Sequence, residues 1–95
     1  MKNRKNIQER PDLKEVVDGH NKKIKILILH NDDVHSFEYV IETLIDVCNH
    51  SNVQAEQCTF IVHYKGKCDV KKGSLNELKP IKEELINRGL KATID

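Results

Sequence analysis

An α+β fold of order βααβαβ, with three antiparallel strands covered by three helices, is the architecture this 95-residue sequence predicts. Three observations carry it. The aliphatic run Ile24 to Leu29 has strand length and composition. One long apolar stripe and two Ser-x-x-Gln/Glu signals mark three helices. Two short segments, near Cys68 and after Gly89, follow turn formers and complete the strands. Elements of this kind bury their apolar faces most simply as one sheet with helices packed on it.

Residues 1–22 mix charged and amide side chains with scattered aliphatics, and Pro11 and Asp18-Gly19 interrupt them. They hold too little apolar surface to offset the entropy of ordering, so a flexible tail over 1–22 and one domain over 23–95 are expected. Lys23 to Leu29 alternates, then becomes wholly apolar, as a largely buried strand does. The polar turn formers His30-Asn31-Asp32-Asp33 end it.

Phe37, Val40, Ile41, Leu44, Ile45 and Cys48 then recur on one helical face, with Glu38, Glu42 and Asp46 opposite. His35 or Ser36 is the candidate cap, and Ser is the better capper. Ser51 and Gln54 form a capping signal for a second helix over Asn52 to Val62, expected to bury Val53, Cys58, Ile61 and Val62 and to end near His63-Tyr64. The turn Lys65-Gly66-Lys67 leads to a polar strand from Cys68 to Lys71. Ser74 with Glu77 starts a third helix, closed at Arg88-Gly89, in which Pro80 should kink the helix or delay its start. Leu90 to Ile94 is the last strand.

Composition removes several function classes. Sixteen basic residues against fifteen acidic give a formal net charge of +1, so no global field draws nucleic acid or anionic membrane. Two Phe and two Tyr are too few for a stacking platform spread over a sheet face. The apolar run Ile26 to Leu29 falls far short of the roughly 18 residues of a membrane helix. Met1 to Arg10 holds no hydrophobic stretch of signal-peptide type, so a cytoplasmic location is expected. Cys48, Cys58 and Cys68 fit reduced thiols acting as small hydrophobes. No Cys-x-x-Cys or His-x-x-x-His spacing exists, so neither metal nor cofactor is expected. Cys48 and Cys58 lie on apolar helix faces, where a thiol is inert, which argues against a Cys-His hydrolase.

The motifs are more specific. The first strand runs into Asn31-Asp32-Asp33, then into a helix opening Ser36-Phe37-Glu38-Tyr39-Val40. Further on, a second helix ends in Val62-His63-Tyr64-Lys65-Gly66-Lys67. Taken alone, Asn-Asp-Asp reads as a loop with a capping Asp, and a lone His63 as a satisfied histidine at a helix end. In this order and this βααβαβ frame, the two stretches resemble the ClpS family of bacterial Clp protease adaptors over residues 24–95.

That resemblance implies a non-enzymatic, monomeric adaptor. It would bind the free N-terminal residue of substrate proteins beginning with Leu, Phe, Tyr or Trp, an N-degron, and deliver them to a ClpA- or ClpC-like AAA+ unfoldase for degradation by ClpP. It implies that Asn31 and His63 bind the N-terminal ammonium with Asp32 near it, that Asp33 supports the loop, and that Phe37, Val40, Thr59, Val62 and Leu90 line the side-chain pocket. The chemistry suits these residue types, because an ammonium carries three donors and wants a cluster of acceptors. Phe37 stands where the family commonly has Met, and Thr59 where many members carry an apolar residue, so a narrowed or reshaped pocket is expected. The tail over 1–22 matches the family's delivery segment in character. The alternative is a general protein-interaction domain of the ribosomal-stalk type. It has a related βααβαβ order and gives no reason for Asn31, Asp32 and His63 to converge.

Overall fold

A computed structural model describes residues 23–95; the expected tail over 1–22 lies outside the described residues. The element order is β1 (Lys25–His30), α1 (Phe37–Cys48), α2 (Asn52–Lys65), β2 (Lys67–Gly73), α3 (Leu75–Asn87) and β3 (Lys91–Ile94). The three strands form one antiparallel sheet of order β2-β1-β3, as the sequence predicts. The wholly apolar run of β1 takes the centre, where it is flanked on both edges and Leu27, Ile28 and Leu29 are buried.

The β1–β2 register breaks between Leu27, opposite Lys71, and Ile28, opposite Asp69. Val70 is therefore the extra residue of a β-bulge, and its side chain is buried in the core. A bulged residue leaves its carbonyl outside the ladder. Here His50, itself buried, donates its Nε2–H to the Val70 carbonyl at 2.6 Å. Donation to a carbonyl requires the proton on Nε2, and Nδ1 has no partner among the described residues.

The helices start and stop where local chemistry directs them. Ser36, Ser51 and Ser74 are the N-caps, each accepting from the backbone N–H three residues on. At Ser74 the reciprocal bond, donated by the Ser74 N–H to Glu77 Oε1, completes a capping box. The core is built from Leu27, Leu29, Leu44, Leu78 and Leu85 with smaller side chains between them.

Several expectations need correction. Helix α2 runs on to Lys65, so His63 and Tyr64 belong to its last turn. Its buried stripe is Ala55, Cys58, Thr59 and Val62, at i, i+3, i+4 and i+7. Val53 and Ile61 fall off that stripe and are 62% and 41% exposed. Strand β2 extends two residues beyond the expected Lys71, to Gly73. Pro80 does not delay the start of α3, which begins at Leu75. It stands on the exposed face, and the carbonyl it leaves unbonded, that of exposed Asn76, can be satisfied by water.

Candidate functional site

The loop from Asn31 to Ser36 leaves the centre of the sheet and turns into α1. Two contacts hold it. The Asn31 N–H donates to the Gly66 carbonyl at 2.9 Å, tying the start of the loop to the end of α2. Gly66 is the C-cap of α2 with φ 92°, and its N–H donates to the Val62 carbonyl at 2.9 Å. Because His63 is three residues before Gly66, this junction brings Asn31 beside the last turn of α2.

Asp32 organises the rest of the loop. Its Oδ1 accepts from the backbone N–H groups of Val34 and His35 at 2.8 and 3.0 Å, and the His35 ring Nδ1 lies 3.2 Å away. Burial pushes the Asp32 carboxyl up, but these backbone bonds and the His35 ring more than offset it and hold the group below its ordinary value. Asp32 is thus a carboxylate at neutral pH, a fixed negative charge in the loop.

The opposite wall is held from α1. The Tyr39 hydroxyl donates to the Arg88 carbonyl at 2.7 Å, tying α1 to the turn before β3. His35 stacks on Tyr39 with ring centres 4.8 Å apart. Gly89, at φ 89°, leaves room for that ring: a Cβ there would stand 3.0 Å from His35 Nε2. Leu90 follows, buried, and faces the same space.

These contacts enclose a pocket of about 360 Å³, counting its open mouth, with walls from β1, the loop, α1, α2 and Leu90. Its lining includes Asn31, Asp32, Phe37, Val40, Thr59, Val62, His63 and Leu90, so eight of the nine candidate residues come together at one place. The ninth, Asp33, is exposed and outside the lining. Thr59 donates its hydroxyl to the Ala55 carbonyl at 2.8 Å. Its hydrogen-bonding need is met within the helix, so the pocket meets it as a small, largely apolar side chain. Phe37, at the mouth of α1, packs edge-on against the His63 ring at 5.1 Å.

Leu29, His30 and His35 also line the pocket and were not among the candidates. Leu29 looks like plain strand core, and His30 like the first residue of a turn. His35 competes with Ser36 for a cap, and only the close approach of Gly89 shows it to be a wall. His30 Nε2 and Thr93 Oγ1 form a hydrogen bond at 2.7 Å, which anchors the end of β1 to β3.

Among the described residues no cluster of three His, Cys, Asp or Glu side chains is arranged to hold a metal ion, and no helix is long and apolar enough to cross a membrane. Burial pushes the Cys48 thiol up to about 11 and the Cys68 thiol up to about 12, and raises Cys58 as well. Protonated thiols of this kind are poor nucleophiles and poor metal ligands.

Comparison with known proteins bears on the family and the fold. A family model described as ATP-dependent Clp protease adaptor protein ClpS matches residues 21–93. The chain is 38% identical over 66 residues to the ATP-dependent Clp protease adapter protein ClpS of Clostridium acetobutylicum, a match covering 62% of this chain and 65% of that relative. The match thus spans just under two thirds of the relative's length. Among solved structures, Agrobacterium tumefaciens ClpS2 bound to L-phenylalaninamide superposes with a TM-score of 0.74, covering 77% of this chain and 95% of that one. At 22% identity that likeness speaks to the fold.

Proposed function

The chain belongs to the ClpS family of ATP-dependent Clp protease adaptors, and from that premise we propose that it captures proteins by a free N-terminal Leu, Phe, Tyr or Trp. It then delivers them to a ClpA- or ClpC-like AAA+ unfoldase for degradation by ClpP. The family is described as adaptors of the protease, and the reading assigns this chain binding without catalysis, as a monomer in the cytoplasm.

One observation supports the reading most. A single pocket combines an apolar wall of Phe37, Val40, Thr59, Val62 and Leu90 with a polar side of Asn31, Asp32 and His63. A free N-terminal residue has the complementary shape, a cation joined through one carbon to a side chain. The Asn31 side-chain carbonyl and a ring nitrogen of His63 accept from the ammonium, while the Asp32 carboxylate supplies the opposing charge. Charge-assisted hydrogen bonds of this kind contribute about 1.5–3 kcal/mol each. Burying the first side chain contributes about 1.5–3 kcal/mol more. An acetylated N-terminus loses the charge and most of its donors and leaves the acceptors unpaired, which is the source of discrimination.

Phe37 leans on His63, so the aromatic ring that borders the pocket also buttresses one of the acceptors. A ring is stiffer than a thioether, and the pocket should prefer a first side chain that does not branch at Cβ to one that does.

Fluorescence anisotropy of labelled peptides beginning with Leu, Phe, Tyr, Trp, Met or acetyl-Phe tests the proposal. Micromolar or tighter binding of the free bulky ends, with none of acetyl-Phe, is the expected result. Equal binding of acetyl-Phe and free Phe would remove the ammonium from the account, and no binding at all would refute the function.

A further inference from the structure

Two large aromatic side chains lie outside the pocket and remain unused by the reading above. Phe60 is 51% exposed and Tyr64 is 74% exposed. They are one helical turn apart on α2, their rings parallel within 2° at 6.0 Å. Phe60 meets the Phe37 ring edge-on at 5.4 Å, and Tyr64 meets the His63 ring edge-on at 5.0 Å. Phe37 and His63 touch one another at 5.1 Å and both line the pocket. The four rings therefore form one continuous patch whose inner half is pocket wall and whose outer half is open surface.

The helix geometry explains the division. Thr59, Val62 and His63 share one face of α2 and look into the pocket, whereas Phe60 and Tyr64 lie on the next face round. The chain has only two Phe and two Tyr, and three of these four rings stand in this one patch. A solvent-exposed parallel pair is an unfavourable use of aromatic surface unless something covers it.

We propose that Phe60 and Tyr64 form a second subsite, which takes the third side chain of the captured polypeptide and favours an apolar, above all an aromatic, one. The proposal rests on the first-residue reading of the pocket. In an extended strand the side chains of residues one and three lie on the same side, about 6.4–6.8 Å apart, while the second points away. The outer rings begin 5.4 Å (Phe60) and 5.0 Å (Tyr64) from the rings lining the pocket, so a chain that leaves the pocket across α2 carries its third side chain over the outer pair. The occupant is apolar because the patch is made of ring faces and edges, and offset or edge-on aromatic contacts are what such surfaces offer.

The test is a cycle of two peptides and two proteins, read by anisotropy. The peptides begin Phe-Ser-Phe and Phe-Ser-Gly and are otherwise identical; the proteins are wild type and Tyr64→Ala. Tyr64 is the target because it is the more exposed of the pair, and since its ring also meets His63, the Phe-Ser-Gly peptide and the Tyr64→Phe variant control for damage to the pocket wall. For wild type the Phe-Ser-Phe peptide should bind about two- to tenfold more tightly than Phe-Ser-Gly. In Tyr64→Ala the preference should vanish while Phe-Ser-Gly binds as before, with an unchanged melting curve. Tyr64→Phe should restore the preference. A wild type that binds both peptides equally, or a variant that keeps the preference, overturns the subsite and leaves the first-residue pocket standing. A Tyr64→Ala defect confined to unfoldase-dependent degradation would give the patch to the unfoldase and also overturn it. Failure of every free-ended peptide to bind would instead refute the function on which the subsite depends.

Discussion

Replacing Gly66 by Ala should damage fold and binding together, through the backbone alone. Gly66 caps α2 at φ 92°, and a Cβ built there would meet nothing within 4 Å among the described residues. The cost is therefore conformational, about 1–2 kcal/mol for holding an L-residue in the left-handed region. For a domain of this size each kcal/mol lowers the melting temperature by about 4–8 °C. The same residue's carbonyl accepts from the Asn31 N–H at 2.9 Å, so relaxation of the cap releases the start of the binding loop. Loss of that bond is worth about 0.5–1.5 kcal/mol, or roughly a two- to tenfold weaker Kd for a Phe-starting peptide. Gly66→Asn, which tolerates the left-handed region, should recover most of both losses. Thermal unfolding by circular dichroism and anisotropy on the three proteins decide it. Unchanged melting and affinity in Gly66→Ala, or equal damage in Gly66→Asn, would refute the argument that backbone conformation at this junction builds the site.

Asn31→Ala should weaken binding of free-ended peptides about ten- to a hundredfold without shifting the melting temperature, as the loss of one charge-assisted bond predicts; normal binding would take Asn31 out of the ammonium site. The Asp32 carboxyl is held below its unfolded value, so it adds stability that is complete above about 3.8 and is lost as pH falls through the lower native value. The stability gap between wild type and Asp32→Asn, from urea unfolding, should therefore not shrink from pH 7 down to pH 5 and should narrow below about 3.8; shrinkage above pH 5 contradicts the bonding described for Asp32. With the Cys48 thiol pushed up to about 11 and that of Cys68 up to about 12, iodoacetamide at pH 7.5 should label both slowly in the native protein and readily in urea. A fast, single-site native reaction would mean that one thiol is activated.

How far the elements can be read from the chain depends on how local their causes are. The N-caps Ser36, Ser51 and Ser74 and the terminators Gly66 and Gly89 act within a turn of themselves, so three helices and their order are legible from spacing. The buried face of α2 is less legible. Its true stripe uses Ala55 and Thr59, small or polar residues that carry little hydrophobic signal, whereas the conspicuous Val53 and Ile61 face solvent. Pro80 misleads for a related reason: its penalty is softened by exposure on α3, and exposure is a tertiary property.

The site divides in the same way. The residue types that chemistry demands, amide, carboxylate, imidazole and an apolar set, are legible in the chain, together with the order in which it delivers them. The fold sets Asn31 and His63 on a shared wall, because the tie between the Asn31 N–H and the Gly66 carbonyl joins two segments far apart in sequence. It also decided that His35 is part of the pocket, that Asp33 is not, and that Phe60 and Tyr64 continue the aromatic wall outward. Periodicity reports which way a side chain leaves its own helix, whereas a pocket is a relation between helices, set by how cap, bulge and sheet register bring their faces together.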